Sequence, residues 1–226
     1  MKSFVRKPIK HKGENMGYKN FREVYHKLAV VIDNGYCANT FKLVADKVIP
    51  EGVEYNSVLA YGYIDKSCGF SYKVLGLTYY EDGDYTLVWP SDEIGLTVRG
   101  ECFQPFEMIP VENKALEKRF SNMIRITNEC YSTKEDDVLR SLDRLDKFRH
   151  EDYPDDIRVI LFKEGMKPEQ VWMRTEQFLT EQDGAICIEA KLLNEPYEDF
   201  GVHLTNVCKV IISNVNGEDL AFMFLK

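Results

Sequence analysis

Tyr72-Lys73-Val74-Leu75-Gly76-Leu77-Thr78-Tyr79-Tyr80, then Glu81-Asp82-Gly83-Asp84, then Tyr85-Thr86-Leu87-Val88-Trp89 is the stretch that decides the fold. Two runs of aromatic and β-branched residues flank a short acidic turn with a glycine, which is the signature of a β-hairpin. Pro90 closes the second run, because proline has no N–H for a ladder. Upstream, Val58 to Ile64 has the same composition, and Ala29-Val30-Val31-Ile32 reads as a short buried strand. Downstream, Ile94 to Val98 adds a strand, and Pro105 and Pro110 mark the exit from the sheet. Asp33-Asn34-Gly35 is a turn signal. Two short helices are expected around this sheet. One carries Phe21, Val24, Tyr25 and Leu28 behind Asn20; the other carries Phe41, Val44 and Val48 behind Asn39-Thr40 and ends before Pro50.

Beyond the sheet the periodicity turns helical. Leu116, Phe120, Met123 and Ile124, with Ile126 near them, form an apolar stripe behind Asn113. Val138, Leu139, Leu142, Leu145 and Phe148 form a second behind Thr133. Asp136–Arg140 and Asp143–Lys147 are spaced i,i+4, acid first, on that second helix. Both helices read as core-packing elements. His150 to Asp156 is a polar break. After it come five short strands: Arg158 to Phe162, Gln170 to Leu179, Ala185 to Leu193, Val207 to Ile212 and Leu220 to Leu225. Asp183-Gly184 and Asn216-Gly217 supply hairpin turns, and five strands in this length predict a small barrel or strongly bent sheet.

The expected fold class is therefore α+β, with two small β-rich parts joined by two amphipathic helices. Residues 1–19, basic and aperiodic, read as a flexible tail. Residues 20–112 read as an α+β domain, 113–150 as a helical connector and 151–226 as a β-rich domain. The chain has 226 residues, 44% of them hydrophobic, enough for a core. Its net charge is -8. That disfavours nucleic acid and anionic membrane as partners and suits a basic protein. No window approaches the ~18 apolar residues of a membrane span. Met1 to Arg6 is not followed by an apolar signal core, so a cytoplasmic location is expected, with the six cysteines as reduced thiols.

Three groups of residues belong together: Pro154-Asp155-Asp156 before a strand, Pro168-Glu169-Gln170-Val171-Trp172-Met173, and Leu192-Leu193-Asn194-Glu195-Pro196-Tyr197-Glu198-Asp199-Phe200-Gly201-Val202-His203. In order and spacing this resembles the bacterial family known as domain of unknown function 2314, over roughly residues 154 to 215. Thr205-Asn206 stands where the family pattern has Gly-Asp before the last strand. The resemblance implies a fold for this part and no activity. From the residues themselves, Asn194 accepts a backbone N–H, Pro196 fixes φ and Gly201 permits positive φ, so turn chemistry accounts for the segment. As a binding site, Asn194, Glu195, Tyr197 and Asp199 would line a recognition surface with Trp172, which otherwise reads as core.

Signatures of catalysis are missing from the sequence. No nucleophile motif surrounds a cysteine, though Cys208 lies near His203. There is no phosphate-binding glycine loop, and four histidines, none in H-x-x-x-H spacing, suggest no metal site. No cofactor is expected. The expected function is that of a non-enzymatic protein-binding module, in one form an immunity-type inhibitor of a basic toxin. The alternative is a hydrolase-like enzyme with its site between the two β-rich parts.

Overall fold

A computed structural model describes residues 21–32, 52–90, 96–100 and 107–226. The expected tail, the helix over Phe41 to Val48 and the Asp33-Asn34-Gly35 turn lie outside these residues. The chain divides into two compact units, Met1–Tyr131 and Ser132–Lys226. The stretch expected to act as a connector is thus shared between them, two helices going with each.

The first unit holds α1 (Phe21–Val24), β1 (Leu28–Ile32), β2 (Ser57–Asp65), β3 (Gly69–Glu81), β4 (Asp84–Pro90), β5 (Thr97–Arg99), β6 (Glu107–Val111), α2 (Lys114–Arg119) and α3 (Ser121–Tyr131). The sheet runs β4-β3-β2-β1-β6, with β5 also on β3, and every pair is antiparallel. The deciding hairpin is β3–β4. Its turn residues Asp82 and Gly83 have φ of 52° and 92°. Positive φ at both central positions matches the right-handed twist of the flanking strands.

Both faces of this sheet are covered, which explains its nearly continuous apolar strands. Leu28, Val30, Leu59, Tyr61, Leu75 and Val111 pack beneath Phe120 and the half-buried Leu116, Met123 and Ile124. Ala29, Val31, Val58, Ala60, Val74 and Leu77 face the other way, against Phe21 and Val24 of α1.

Three expectations for this unit are corrected. The Phe21–Leu28 helix is a single turn, because Leu28 already pairs with Tyr61 and Val111 as the first residue of β1. Pro110 does not end the sheet; it lies within β6, opposite Ala29. The strand tolerates it because β6 is an edge, where a missing N–H interrupts no second ladder. The helix expected after Asn113 is two, broken at the buried Phe120. Asn113 does cap the first: its Oδ1 accepts from the Ala115 and Leu116 amides at 3.0 and 3.2 Å.

The second unit holds α4 (Lys134–Ser141), a 3-10 helix (Asp143–Phe148), β7 (Asp156–Lys163), β8 (Glu169–Gln182), β9 (Ala185–Leu192), β10 (Val207–Val215) and β11 (Glu218–Leu225). The strands form a closed barrel in which each pairs with the next and β11 pairs with β7. In an up-and-down run of five, the first and last strands point the same way, so the closing pair has to be parallel, and it is. Closure leaves no open sheet edge. The two-residue turns Asp183-Gly184 and Asn216-Gly217 again have positive φ at both positions.

Ile157, Val159, Leu161, Val171, Met173, Ile186, Ile188, Ala190, Leu192, Val210, Ile212, Ala221 and Met223 fill the barrel. Leu139 and Leu145 from the helices pack against this core, with Phe200 and Val202 from the β9–β10 connection. Thr133 caps α4 in a reciprocal box with Asp136. Val138 and Ile126, placed on the apolar stripes by spacing, are 44% and 46% exposed instead. The Arg140 guanidinium is buried and binds Asp155.

Candidate functional site

The connection between β9 and β10 carries Asn194, Glu195, Tyr197 and Asp199. An exposed loop of this length gains no order for free, since fixing each residue costs about 1–2 kcal/mol of backbone entropy. Its polar side chains supply the bonds that hold it. Asn194 Oδ1 accepts from the Trp172 amide at 2.7 Å, and the Leu193 amide donates to the Trp172 carbonyl at 2.9 Å. Asp199 Oδ1 accepts from the Gly201 amide at 2.9 Å, where φ is 77°. Glu169, at the start of β8, reaches across and accepts from the amides of Tyr197 and Glu198 at 2.7 and 3.3 Å. Phe200 is buried beneath the loop as its apolar anchor, a contribution of about 2 kcal/mol.

Glu195 bridges the two arms of the loop. Oε1 meets His203 Nδ1 at 2.6 Å and Oε2 accepts from the Leu204 amide at 2.8 Å. The Leu204 amide and then His203 hold the Glu195 carboxyl below its ordinary range. The same carboxylate raises His203. Both groups are exposed, so the bond organises the surface more than it stabilises the fold.

On the loop's return arm Thr205, not Asn206, lies in the left-handed region, at φ 75°. A β-branched residue is a poor occupant of that conformation. It is held by Thr205 N to Leu192 O and Leu192 N to Asn206 O, both 2.9 Å.

What this bonding leaves over is the side chain of Tyr197, which is 98% exposed. Around it stand Glu169, Glu195, Glu198 and Asp199. Lys163 Nζ donates to the Asp199 carbonyl at 3.2 Å, which ties the loop to the end of β7. Beside Lys163, Phe162 contacts Phe224 at 5.4 Å between ring centroids, and Phe224 is 73% exposed.

Trp172 belongs to neither the loop apex nor the core. Its neighbours Val171 and Met173 point into the barrel, so Trp172 points out, half-buried. It lies 5.0 Å from the His150 ring, with the Arg158 guanidinium 6.0 Å from its centroid. The structure thus joins Asn194 to Trp172 through the backbone and gathers the other three residues at the loop. Glu169 and His203 are not legible in the sequence as members of this surface.

Pro154-Asp155-Asp156 has a different task. Each residue receives one arginine. The Pro154 carbonyl accepts from Arg149 Nη1, the Asp155 carboxylate from Arg140 and the Asp156 carboxylate from Arg174 at 2.7 and 3.0 Å. Burial pushes the Asp156 carboxyl up, against the pull of Arg174. The Arg140 and Arg149 bonds clasp the helical segment to the start of β7, and the Arg174 bond joins β7 to β8.

Among the described residues, no group of three or more His, Cys, Asp or Glu side chains is placed to hold a metal, and no helix is long and apolar enough to cross a membrane. Cys68, Cys130, Cys187 and Cys208 are free thiols. The chain matches no family model, no curated protein and no solved structure.

Proposed function

We propose that the protein is a non-enzymatic binding module, working in the cytoplasm, whose barrel unit docks a basic protein in the manner of an inhibitor that blocks a toxin. The carrying observation is where the charge resides. Residues 132–226 hold 20 Asp and Glu against 12 Lys and Arg, whereas residues 1–131 hold 17 of each, so the whole net charge of -8 belongs to the barrel unit. Such a field steers a basic partner and raises its association rate. Tyr197 supports the reading, as an exposed aromatic on a loop already ordered by its own bonds. Tyrosine is enriched among residues that dominate binding energy, and prior order lowers the entropy lost on docking. The likeness of residues 154–215 to domain of unknown function 2314 enters this proposal as a likeness of motifs.

The test is co-purification from the native host at low and physiological salt, repeated with Tyr197→Ala and with Glu198→Gln/Asp199→Asn. A stoichiometric basic protein is expected. Its yield falls with salt, the tyrosine variant releases it faster, and the charge variant captures it more slowly. Recovery of no stoichiometric partner at either salt, or one indifferent to all three substitutions, overturns the reading.

A further inference from the structure

The first unit contains a cleft of about 1000 Å³ that the barrel reading does not use. Its floor is set by strand register. Tyr61, Leu28 and Val111 are direct partners across β2, β1 and β6, and all three line the cleft. One wall is a face of α3: Ser121, Ile124, Arg125 and Asn128 recur at i, i+3, i+4 and i+7. The opposite wall is the turn from α1 into β1, with Glu23, His26 and Lys27.

That turn is built for close approach. His26 N donates to the Gly62 carbonyl at 2.9 Å and Gly62 N to the Lys27 carbonyl at 3.0 Å. A Cβ on Gly62 would lie 2.3 Å from the Val24 carbonyl oxygen, so only glycine lets the turn seat on β2. Clamped this way, His26 adopts φ 57°, a conformation that non-glycine residues rarely hold and that clusters at functional sites. Its ring stacks on Tyr25 at 3.9 Å and lies parallel to Tyr61 at 6.2 Å. The Tyr61 hydroxyl donates to Asn128 Oδ1 at 2.8 Å, joining floor to helix wall.

The charges lining the cleft are unequally engaged. Lys27 Nζ donates to the Arg22 carbonyl, and Arg125 binds Glu129 and Asn122. The side chains of Glu23, Glu112 and Glu117 make no hydrogen bond or ion pair among the described residues. The cleft thus combines an apolar floor, aromatic faces and three uncommitted carboxylates at its rim.

From this combination we propose that the cleft binds a small organic cation, an ammonium or guanidinium compound with an apolar or aromatic body. The carboxylates take the charge, the Tyr61 ring adds cation–π attraction, and Leu28, Val111 and Ile124 take the body. The volume is that of a pocket for a drug-sized ligand. The inference does not rest on the partner reading of the barrel unit.

The experiment is calorimetric titration of the full chain with benzoyl-arginine amide and with its neutral isostere, benzoyl-citrulline amide. The cation is expected to bind with a Kd of about 0.1–1 mM and the isostere about tenfold more weakly. Glu23→Gln/Glu112→Gln, at exposed positions, is expected to abolish that preference. Ile124→Trp, checked for its fold by circular dichroism, is expected to block both probes by filling the cleft. No binding of the cation up to about 10 mM, equal binding of the two probes, or binding unchanged by the carboxamide pair overturns the proposal.

Discussion

Arg140 and Asp155 meet through two parallel bonds, Nε to Oδ1 at 2.9 Å and Nη2 to Oδ2 at 2.7 Å, with both side chains buried. Fifteen residues separate them in sequence. The pair fastens α4 to the chain just before β7, and Arg140 Nη1 also reaches Ser132 Oγ at 3.3 Å. Removing one member leaves the other charge buried without its counter-ion. Asp155→Asn is therefore expected to destabilise the barrel unit by about 3–5 kcal/mol, measured by urea unfolding. The double change Arg140→Met/Asp155→Leu is expected to recover most of that loss, because it removes both desolvation costs together.

Thr205 is the converse case, a position where the native residue is a poor choice. Thr205→Gly is expected to stabilise the second unit by about 1 kcal/mol, because glycine occupies positive φ without the Cβ clash and the entropy it adds to the unfolded chain offsets only part of the gain. The midpoint of urea unfolding should rise with an unchanged slope.

The Glu195–His203 bond predicts a pH window. The histidine's raised value means its contribution is full below the ordinary value of 6.5 and is lost as pH rises through the folded value. The glutamate's lowered value means its contribution is full above the ordinary 4.5 and is lost as pH falls through the folded value. Loop order is thus expected to be greatest between those two pH values. Carbon-bound proton shifts of His203, followed by NMR, should titrate above 6.5, and Glu195→Gln should bring the titration back toward it.

Tyr197 predicts a separation of binding from stability. Tyr197→Ala should change stability by under about 0.5 kcal/mol, since the side chain is exposed and only its amide is bonded in the loop. Glu169→Ala should instead loosen the loop, with faster amide exchange at Tyr197 and Glu198, because both amides lose their acceptor.

Gly62 tests the seating of the α1–β1 turn. Gly62→Ala is expected to destabilise the first unit by about 3 kcal/mol, because its nearest clash, with the Val24 carbonyl, is with backbone that cannot swing away. Thermal melting would show the loss, and the same variant should weaken benzoyl-arginine amide.

The parts of this fold legible in sequence are those fixed by near neighbours. Asp82-Gly83, Asp183-Gly184 and Asn216-Gly217 announce their hairpins because a two-residue turn needs positive φ at adjacent positions, which few residue pairs accept. Asn113 and Thr133 announce helix starts for a similar local reason. Pro110 is not legible as a strand residue, because whether a proline ends a strand or sits in one depends on edge position, and strand order is not local. The bond from Arg140 to Asp155 is not legible in the spacing of α4, because Asp155 comes from the polar break fifteen positions on. At the loop, the turn-forming roles of Asn194 and Gly201 were readable, but Glu169 binds it from 28 positions away. The charge imbalance is legible without the structure: residues 151–226 alone hold 15 Asp and Glu against 7 Lys and Arg.

The parallel closure of the barrel bears on how the second unit comes into being. β7 begins the barrel, yet its outer ladder, Ile160 with Phe222 through Lys163 with Leu225, is completed only by β11. During synthesis the first four strands can assemble as a meander, but that meander has two bare edges, on β7 and on β10, until residues 218 to 225 have emerged. Closing so long a loop is slow. The nascent barrel is therefore at its most aggregation-prone just before its last strand appears, and a ribosome-bound chain halted short of Glu218 is the species a chaperone would hold.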